Sequence, residues 1–418
     1  MKNTLQESDS KTGSQAAVYH VIYAWNYLQW GGAQIYLLSI IRNAPPNWRF
    51  TLLIPRNSKA DLIRFFEPYG VRIDYIDASV YEGPAESAGQ KIERRQRLFS
   101  AQWALYRGLK KYEGAKSVIH IDAAPWQDWI LLFLLTLRTD VFFTLHNAIA
   151  TTQISKGRAR LWRWRLNFLM KRKKFHMFAA NRHAIESMKF YLPSEDVERI
   201  TLTRATINPL EIEEVFSKGI DRAALREKHG LDRDKFLVLC IGQFVDRKGR
   251  WVFLEAAGRI LGDRDDIAFV WITPQPAEPA DLEKIGEYGL GDSFKLILSA
   301  DIGEKRHDVL TFFRAADIFA LPSLWEGLPI SILEAMALGV PTISTNVNAI
   351  PEAVKDLETG LLIEAGDSDA LADAILRLKN EPELREKLAD SGREFVLANF
   401  DERDAAAFAL NAYEECLT

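Results

Sequence analysis

Short apolar runs rich in β-branched and aromatic residues alternate with helical stretches along this chain, and the alternation starts again at Lys235. Strands joined through helices need crossover connections, and crossovers build parallel sheets covered on both faces. The first series reads as strands over residues 17–24, 50–55, 71–76, 118–121, 141–146 and 175–180, with helices over 33–41, 59–66 and 92–111. The second has strands over 235–241, 267–273, 294–298, 318–320 and 341–344, with helices over 249–261, 330–338 and 370–378. A last helix, 402–416, follows the second series, and the hinge is expected between Leu202 and Pro209. No internal repeat or low-complexity tract breaks the pattern.

A chain of 418 residues exceeds one ordinary core. The expected layout is a polar tail (1–15), a Rossmann-like domain (16–206), a second Rossmann-like domain (207–394) and a final helix (395–418) that packs back on the first. Two such domains leave a cleft, and parallel α/β sheets bind ligands at the carboxyl ends of their strands. With 48% apolar and 26% charged residues the composition is that of a soluble globular protein. The two cysteines, Cys240 and Cys416, make no disulfide framework and no metal-type spacing, which favours a reducing compartment. Residues 1–15 carry no apolar core of a signal peptide. The longest apolar stretch, 129–137, falls short of the roughly 20 residues a membrane span needs. The expected location is cytoplasmic, with peripheral attachment to the inner face of the membrane as an option.

Charge divides the chain. Residues 1–204 hold 30 basic and 17 acidic side chains, a net of +13, which leaves 23 basic and 40 acidic ones, a net of −17, for the remainder. Ten Lys or Arg and no acid lie between Lys156 and Arg182, interleaved with Trp162, Trp164, Phe168 and Met170. As a helix this stretch mixes apolar and basic positions at interfacial spacing. An anionic lipid surface, a nucleic acid or plain solvent would each suit such a face, but nothing else in the chain resembles a nucleic-acid module, so no nucleic-acid partner is expected.

The most informative stretch is 321–350, LPSLWEGLPISILEAMALGVPTISTNVNAI. Seven residues separate Glu326 from Glu334, and Pro329 suits the first position of a helix. Glu326 then stays in the preceding loop while Glu334 falls in the second turn. The two carboxylates bracket a helix N-terminus whose amides attract phosphate. That order (hydroxyl acceptor, phosphate site, hydroxyl acceptor) matches a nucleoside diphosphate sugar. Glu near a helix start is also common for dipole reasons alone.

This segment resembles the E-x7-E signature of the large retaining glycosyltransferase family 4, of the glycosyltransferase B (GT-B) fold. ADIFALPS ending at Ser323, EAMALG over 334–339, Ile350-Pro351-Glu352 and Thr359-Gly360-Leu361-Leu362 complete the resemblance in order. In the first half it rests on Gly31-Gly32-Ala33 and on Thr144-Leu145-His146-Asn147. The resemblance implies a nucleotide-sugar donor, a glycan or lipid-linked acceptor, and polysaccharide or glycolipid synthesis. It assigns the ribose to Glu334, and the transferred sugar and the charge developing on its ring to Glu326. Amides near Leu328, Ile330 and Ser331 would hold the diphosphate, Lys248 would neutralise it as it leaves, and His146 would bond a sugar hydroxyl. Gly31 and Gly32 would let backbone approach the donor. It implies no metal and no cofactor, and His120 and Asp122 are too sparse for a metal site.

Two positions depart from the pattern. Gln243 stands where the family usually has Arg, and a glutamine donates hydrogen bonds without charge. Arg247 and Arg250 are the candidates to supply that charge. Val347-Asn348-Ala349 occupies the place of a glycine pair. The rival readings are a nucleotide-sugar epimerase of the same fold and a non-catalytic sugar-nucleotide or membrane-binding relative.

Overall fold

The structure, a computed structural model, describes residues 18–25, 32–56, 66–78, 87–112, 116–122, 124–149, 154–262, 264–303 and 305–418, with positions 58, 63 and 151. Thirteen strands form two sheets among these residues. The first contains β1 (Tyr19–Trp25), β2 (Trp48–Pro55), β3 (Arg72–Ile76), β4 (Ser117–Asp122), β5 (Val141–Leu145), β6 (Phe175–Ala179) and β7 (Thr201–Leu202), in the order β3-β2-β1-β4-β5-β6-β7. The second contains β8 (Phe236–Ile241), β9 (Ile267–Thr273), β10 (Phe294–Leu298), β11 (Ile318–Leu321), β12 (Thr342–Thr345) and β13 (Leu361–Ile363), in the order β10-β9-β8-β11-β12-β13. All pairings within both sheets are parallel. Both are doubly wound, and each has its switch point beside its first strand: β1/β4 and β8/β11. This is the expected fold class.

Helices on both faces explain why the strands read as continuous apolar runs. Successive residues of β1 point to opposite faces, and Val21, Ile22, Tyr23 and Ala24 are all buried. Val21 and Tyr23 join one core, Ile22 and Ala24 the other. The 129–137 stretch lies largely in the helix Trp129–Thr136, which buries Leu131, Leu132 and Leu135 against the sheet. No helix among the described residues is long and apolar enough to cross a membrane. The helix expected over 59–66 lies mostly outside the described residues.

The chain crosses between the sheets twice, at neighbouring places. Ile207 N–H donates to the Phe400 carbonyl (2.9 Å), and Glu402 N–H donates to the Ile207 carbonyl (3.0 Å). Arg42, ending the helix Gly32–Arg42, donates from Nε to Glu402 Oε1 at 3.0 Å and ties this crossing to the first sheet. The return falls at Phe400–Glu402 rather than at 395. Residues 395–399 belong to the helix Pro382–Asn399, whose Val396 is in the second core together with Phe400. The helix Glu402–Leu417 then covers the first sheet. Its Tyr413 is fully buried, and its hydroxyl meets His120 Nδ1 at 2.5 Å and the Tyr23 hydroxyl at 3.1 Å.

Candidate functional site

Three loops meet at the carboxyl ends of β8 and β11. After β8 the chain passes Gly242 and Gln243 into a 3-10 turn, Asp246–Lys248, closed by Gly249 in the left-handed region (φ 74°). Gly249 packs on the Pro322 carbonyl so closely that a Cβ would lie 1.8 Å from the oxygen. Leu324 N–H also donates to the Arg247 carbonyl at 2.9 Å. The turn after β8 is therefore locked onto the loop after β11, and that contact positions the charges.

Glu326 is buried, and its Oε1 lies 2.7 Å from Lys248 Nζ and 2.8 Å from Arg247 Nη1. Both are ion pairs only, because neither cation is aligned for a hydrogen bond and Oε1 has no hydrogen-bond partner. Of the two arginines that stood as substitutes for the charge missing at Gln243, Arg247 reaches the site. Arg250 is engaged elsewhere, with Asp246 at 2.8 Å, Asp281 at 2.6 Å and the Phe244 carbonyl at 3.0 Å. Gln243 itself is half-buried at the start of the same turn. Asn348 explains the other departure. Its φ of 48° is the left-handed conformation a glycine would supply, and its side-chain amide donates to the Glu326 carbonyl at 2.8 Å.

The helix begins at Ile330 and runs to Ala337, with Pro329 in the cap position, one residue earlier than its sequence preference indicates. Proline has no side-chain acceptor, so the first amides, including those of Ile330 and Ser331, are left uncapped and available to an anion. Leu328, just before the cap, is buried in the second core. Glu334 is buried one turn on, and Arg306 holds its Oε1. Burial pushes the Glu334 carboxyl up, and the Arg306 charge works against that shift. Arg306 continues to Glu211 Oε2 at 3.3 Å, which lies 4.0 Å from Arg42 at the crossing. No spacing in the sequence marks Arg306; only the fold brings it to Glu334.

The first sheet contributes from the opposite side. His146 follows β5, and its carbonyl accepts from Asn181 Nδ2 at 2.9 Å. A Cβ on Gly327 would lie 2.5 Å from that carbonyl and 2.7 Å from Asn147 Oδ1, so the Glu326–Gly327 loop is pressed against the His146 turn. Glu352 Oε1 accepts from His183 N–H at 2.9 Å, a second tie across the cleft. At the β1/β4 switch point a cavity is lined by Ala33, Gln34, Tyr36, His120, Asp122 and His146. Gly32 starts the helix at its edge, whereas Gly31 lies outside the described residues. Burial pushes the Asp122 carboxyl up to about 7, with Asp128 adding to the shift.

Burial pushes His146 down to about 4 and His120 to about 3, the latter helped by the His146 charge. Both rings are neutral at pH 5–8. A folded-state pKa below the unfolded value of about 6.5 means that the folded state binds fewer protons across that interval, so these groups lose stability as pH falls below 6.5. In a sample with carbon-13-labelled histidine, the His146 signal should hold its neutral position down to about pH 5. A midpoint near 6.5 would show the ring to be solvated.

Residues 221–395 match the family model "Glycosyl transferases group 1". The segment contains all six strands of the second sheet with most of their helices and is less than half of the chain. The chain is 33% identical over 196 residues to the alpha-D-kanosaminyltransferase of Streptomyces kanamyceticus, 46% of this chain and 49% of that one. It is 31% identical over 209 residues to the UDP-Gal:alpha-D-GlcNAc-diphosphoundecaprenol alpha-1,3-galactosyltransferase of Escherichia coli, 46% of this chain and 50% of that one. The match spans about half the length of these curated relatives. The fold is shared over nearly the full length with Anabaena HepE, solved in complex with UDP and glucose: TM-score 0.71, 14% identity, 95% of this chain and 100% of that one.

Proposed function

We propose that this chain is a retaining glycosyltransferase that moves a sugar, of the hexose type, from a uridine- or guanosine-diphosphate sugar to a glycan or lipid-linked acceptor. One observation carries the reading: Lys248, Arg247 and Glu326 converge beside the uncapped N-terminus of the helix Ile330–Ala337. A diphosphate on those amides draws the two cations toward itself and releases Glu326 toward the sugar. As the acceptor oxygen bonds to the anomeric carbon, the bond to the diphosphate breaks, its electron pair leaves with phosphate, and the acceptor hydroxyl's proton passes to a departing phosphate oxygen. Lys248 and Arg247 stabilise that charge, and Glu326 stabilises the positive charge on the ring. Glu334 holds the ribose, and His146 accepts from a sugar hydroxyl as a neutral ring. These protein groups take the place of a divalent ion at the diphosphate. With donor and acceptor supplied, the expected products are free nucleoside diphosphate and a glycoside of unchanged anomeric configuration, and turnover survives EDTA. Interconversion of the donor without transfer would identify an epimerase. Donor binding with neither transfer nor slow hydrolysis would identify a non-catalytic protein. Loss of turnover in EDTA with recovery in magnesium or manganese would overturn the metal-independent mechanism.

The acceptor side is read as docking on the anionic inner face of a membrane. The helix Lys156–Met170 and the residues following it to Lys174 divide into two sets. Arg163, Arg165 and Lys174 bond the carbonyls of Phe190, Trp126 and Arg138, and Arg172 lies over Phe133. Lys156, Arg158, Arg160, Lys171 and Lys173 are exposed, beside Leu161 and Trp164, which is 52% exposed. The neighbouring helices Ala88–Lys110 and Trp129–Thr136 add exposed Ile92, Phe99, Trp103 and Ile130 on the same layer. Each cation near an anionic surface contributes about 1 kcal/mol. Vesicles with anionic lipid should therefore co-sediment the protein and neutral ones should not, with binding fading as salt rises. Replacing the five exposed cations by Gln should abolish it. Equal binding to both lipids, or none to either, would make the acceptor a soluble glycan.

A further inference from the structure

At the rim of the first sheet opposite the cleft, three side chains from distant parts of the chain converge. Asp140 immediately precedes β5, His176 is the second residue of β6, and Cys416 lies in the last turn of the helix Glu402–Leu417. His176 Nε2 is 2.9 Å from Asp140 Oδ1 and 3.5 Å from Cys416 Sγ, and the three ligand atoms all lie within 4.8 Å of one another. Phe142 stacks on the His176 ring at 4.5 Å and fixes its plane.

The contacts share one nitrogen. In a nucleophilic Cys-His-Asp relay the carboxylate would hold Nδ1 and the thiol Nε2. Here both approach Nε2, so His176 cannot take the thiol proton while it donates to Asp140, and the thiol is left to hydrogen-bond Asp140 as well. The three donor atoms nevertheless surround one common point, where a cation would exchange these hydrogen bonds for a bond to each of them. Ligand bonds of about 2.0–2.3 Å at tetrahedral angles place the ligand atoms about 3.3–3.6 Å apart, which matches the 3.5 Å from nitrogen to sulfur and requires the 2.9 Å from nitrogen to carboxylate oxygen to open by a few tenths of an ångström.

We infer that Asp140, His176 and Cys416 form a binding site for a borderline-soft divalent cation, zinc by the chemistry of its nitrogen, oxygen and sulfur donors, that staples the C-terminal helix to the first sheet. Binding displaces the thiol proton to solvent, forms the metal–sulfur bond and leaves a fourth position to water, since Asp140 and His176 are partly exposed. The site lies at the far ends of the strands from Lys248 and Glu326, so it is structural and is independent of the proposed transfer.

The test uses tag-free full-length protein, stripped with EDTA and desalted, titrated with zinc against a chromophoric chelator and, separately, with cobalt(II). One equivalent of zinc is expected to bind, to raise the melting temperature and to slow amide exchange in residues 402–417. Cobalt is expected to give tetrahedral visible bands and a near-ultraviolet sulfur charge-transfer band. C416S should lose that band and about tenfold or more in zinc affinity, and H176Q should lose affinity by a similar factor. C416S swaps one chalcogen at a partly exposed position, so it carries the test should H176Q fold poorly. Absence of the charge-transfer band at one equivalent, or zinc affinity unchanged in C416S, overturns the inference.

Discussion

Replacing Lys248 by Ala is expected to lower turnover about a hundred- to a thousand-fold, the usual effect of removing one preorganised donor to developing charge. Its side chain is only 12% exposed and lies along Gly242, with Cε 3.5 Å from where a Cβ there would stand. Its ammonium therefore acts from a fixed position with little competition from water. Arg247 is 38% exposed, so solvent screens it and its Ala variant should lose much less. Glu326→Gln tests the same cluster from the other side. Without a ligand, Glu326 neutralises both cations; once it is uncharged, they are left to attract the diphosphate. Nucleoside diphosphate affinity should hold or rise in Glu326→Gln while turnover falls. Weakened nucleotide binding with an intact rate would remove Glu326 from the sugar end of the cleft. A Lys248→Ala enzyme with near-normal turnover would remove the lysine from the leaving group.

The parts of this site that the sequence displays are those in which the fold leaves neighbours in the chain as neighbours in space. Glu326, Pro329, Ile330 and Glu334 lie within one loop and one helix, so their spacing is already their geometry. The strands were legible for a similar reason: burial on both faces makes β9, with all seven residues buried, an unbroken apolar run. What was hidden is what depends on distant approach. Arg306 meets Glu334 only because the helix Arg306–Phe313 packs beside it. Asn348 reads as a departure from a glycine pair until its left-handed backbone is seen. Asp140, His176 and Cys416 are separated by most of the chain. The helix Trp129–Thr136 carries no polar stripe to give a helical period, because its residues pack between the sheet and the aromatic rings of the helix Lys156–Met170. The return crossing was placed too early because 395–399 continue a helical pattern that the Phe400 turn ends.

Binding of the nucleotide should depend on Glu334 through its charge and not only through its bulk. Arg306 occupies Oε1, and no side chain among the described residues donates to Oε2, which leaves that oxygen to the ribose. A hydrogen bond to a charged acceptor is worth about 1.5–3 kcal/mol, or about 10- to 150-fold in affinity for the nucleoside diphosphate. Glu334→Ala is the harsher variant, because it also leaves the half-buried Arg306 guanidinium with Glu211 as its remaining counter-charge, which lowers stability as well as affinity. Glu334→Gln separates the effects: its carbonyl still accepts from Arg306, while the charge facing the ribose is gone. Calorimetry with the ribose nucleotide and its 2′,3′-dideoxy analogue, each against wild type and Glu334→Gln, closes a double-mutant cycle. The wild type should bind the ribose form more tightly by the factor given above, and the variant should distinguish the two forms much less. If the wild type binds both forms equally, the ribose is held elsewhere, and Glu334 serves only to anchor Arg306 and, through Glu211 and Arg42, the crossing between the two sheets.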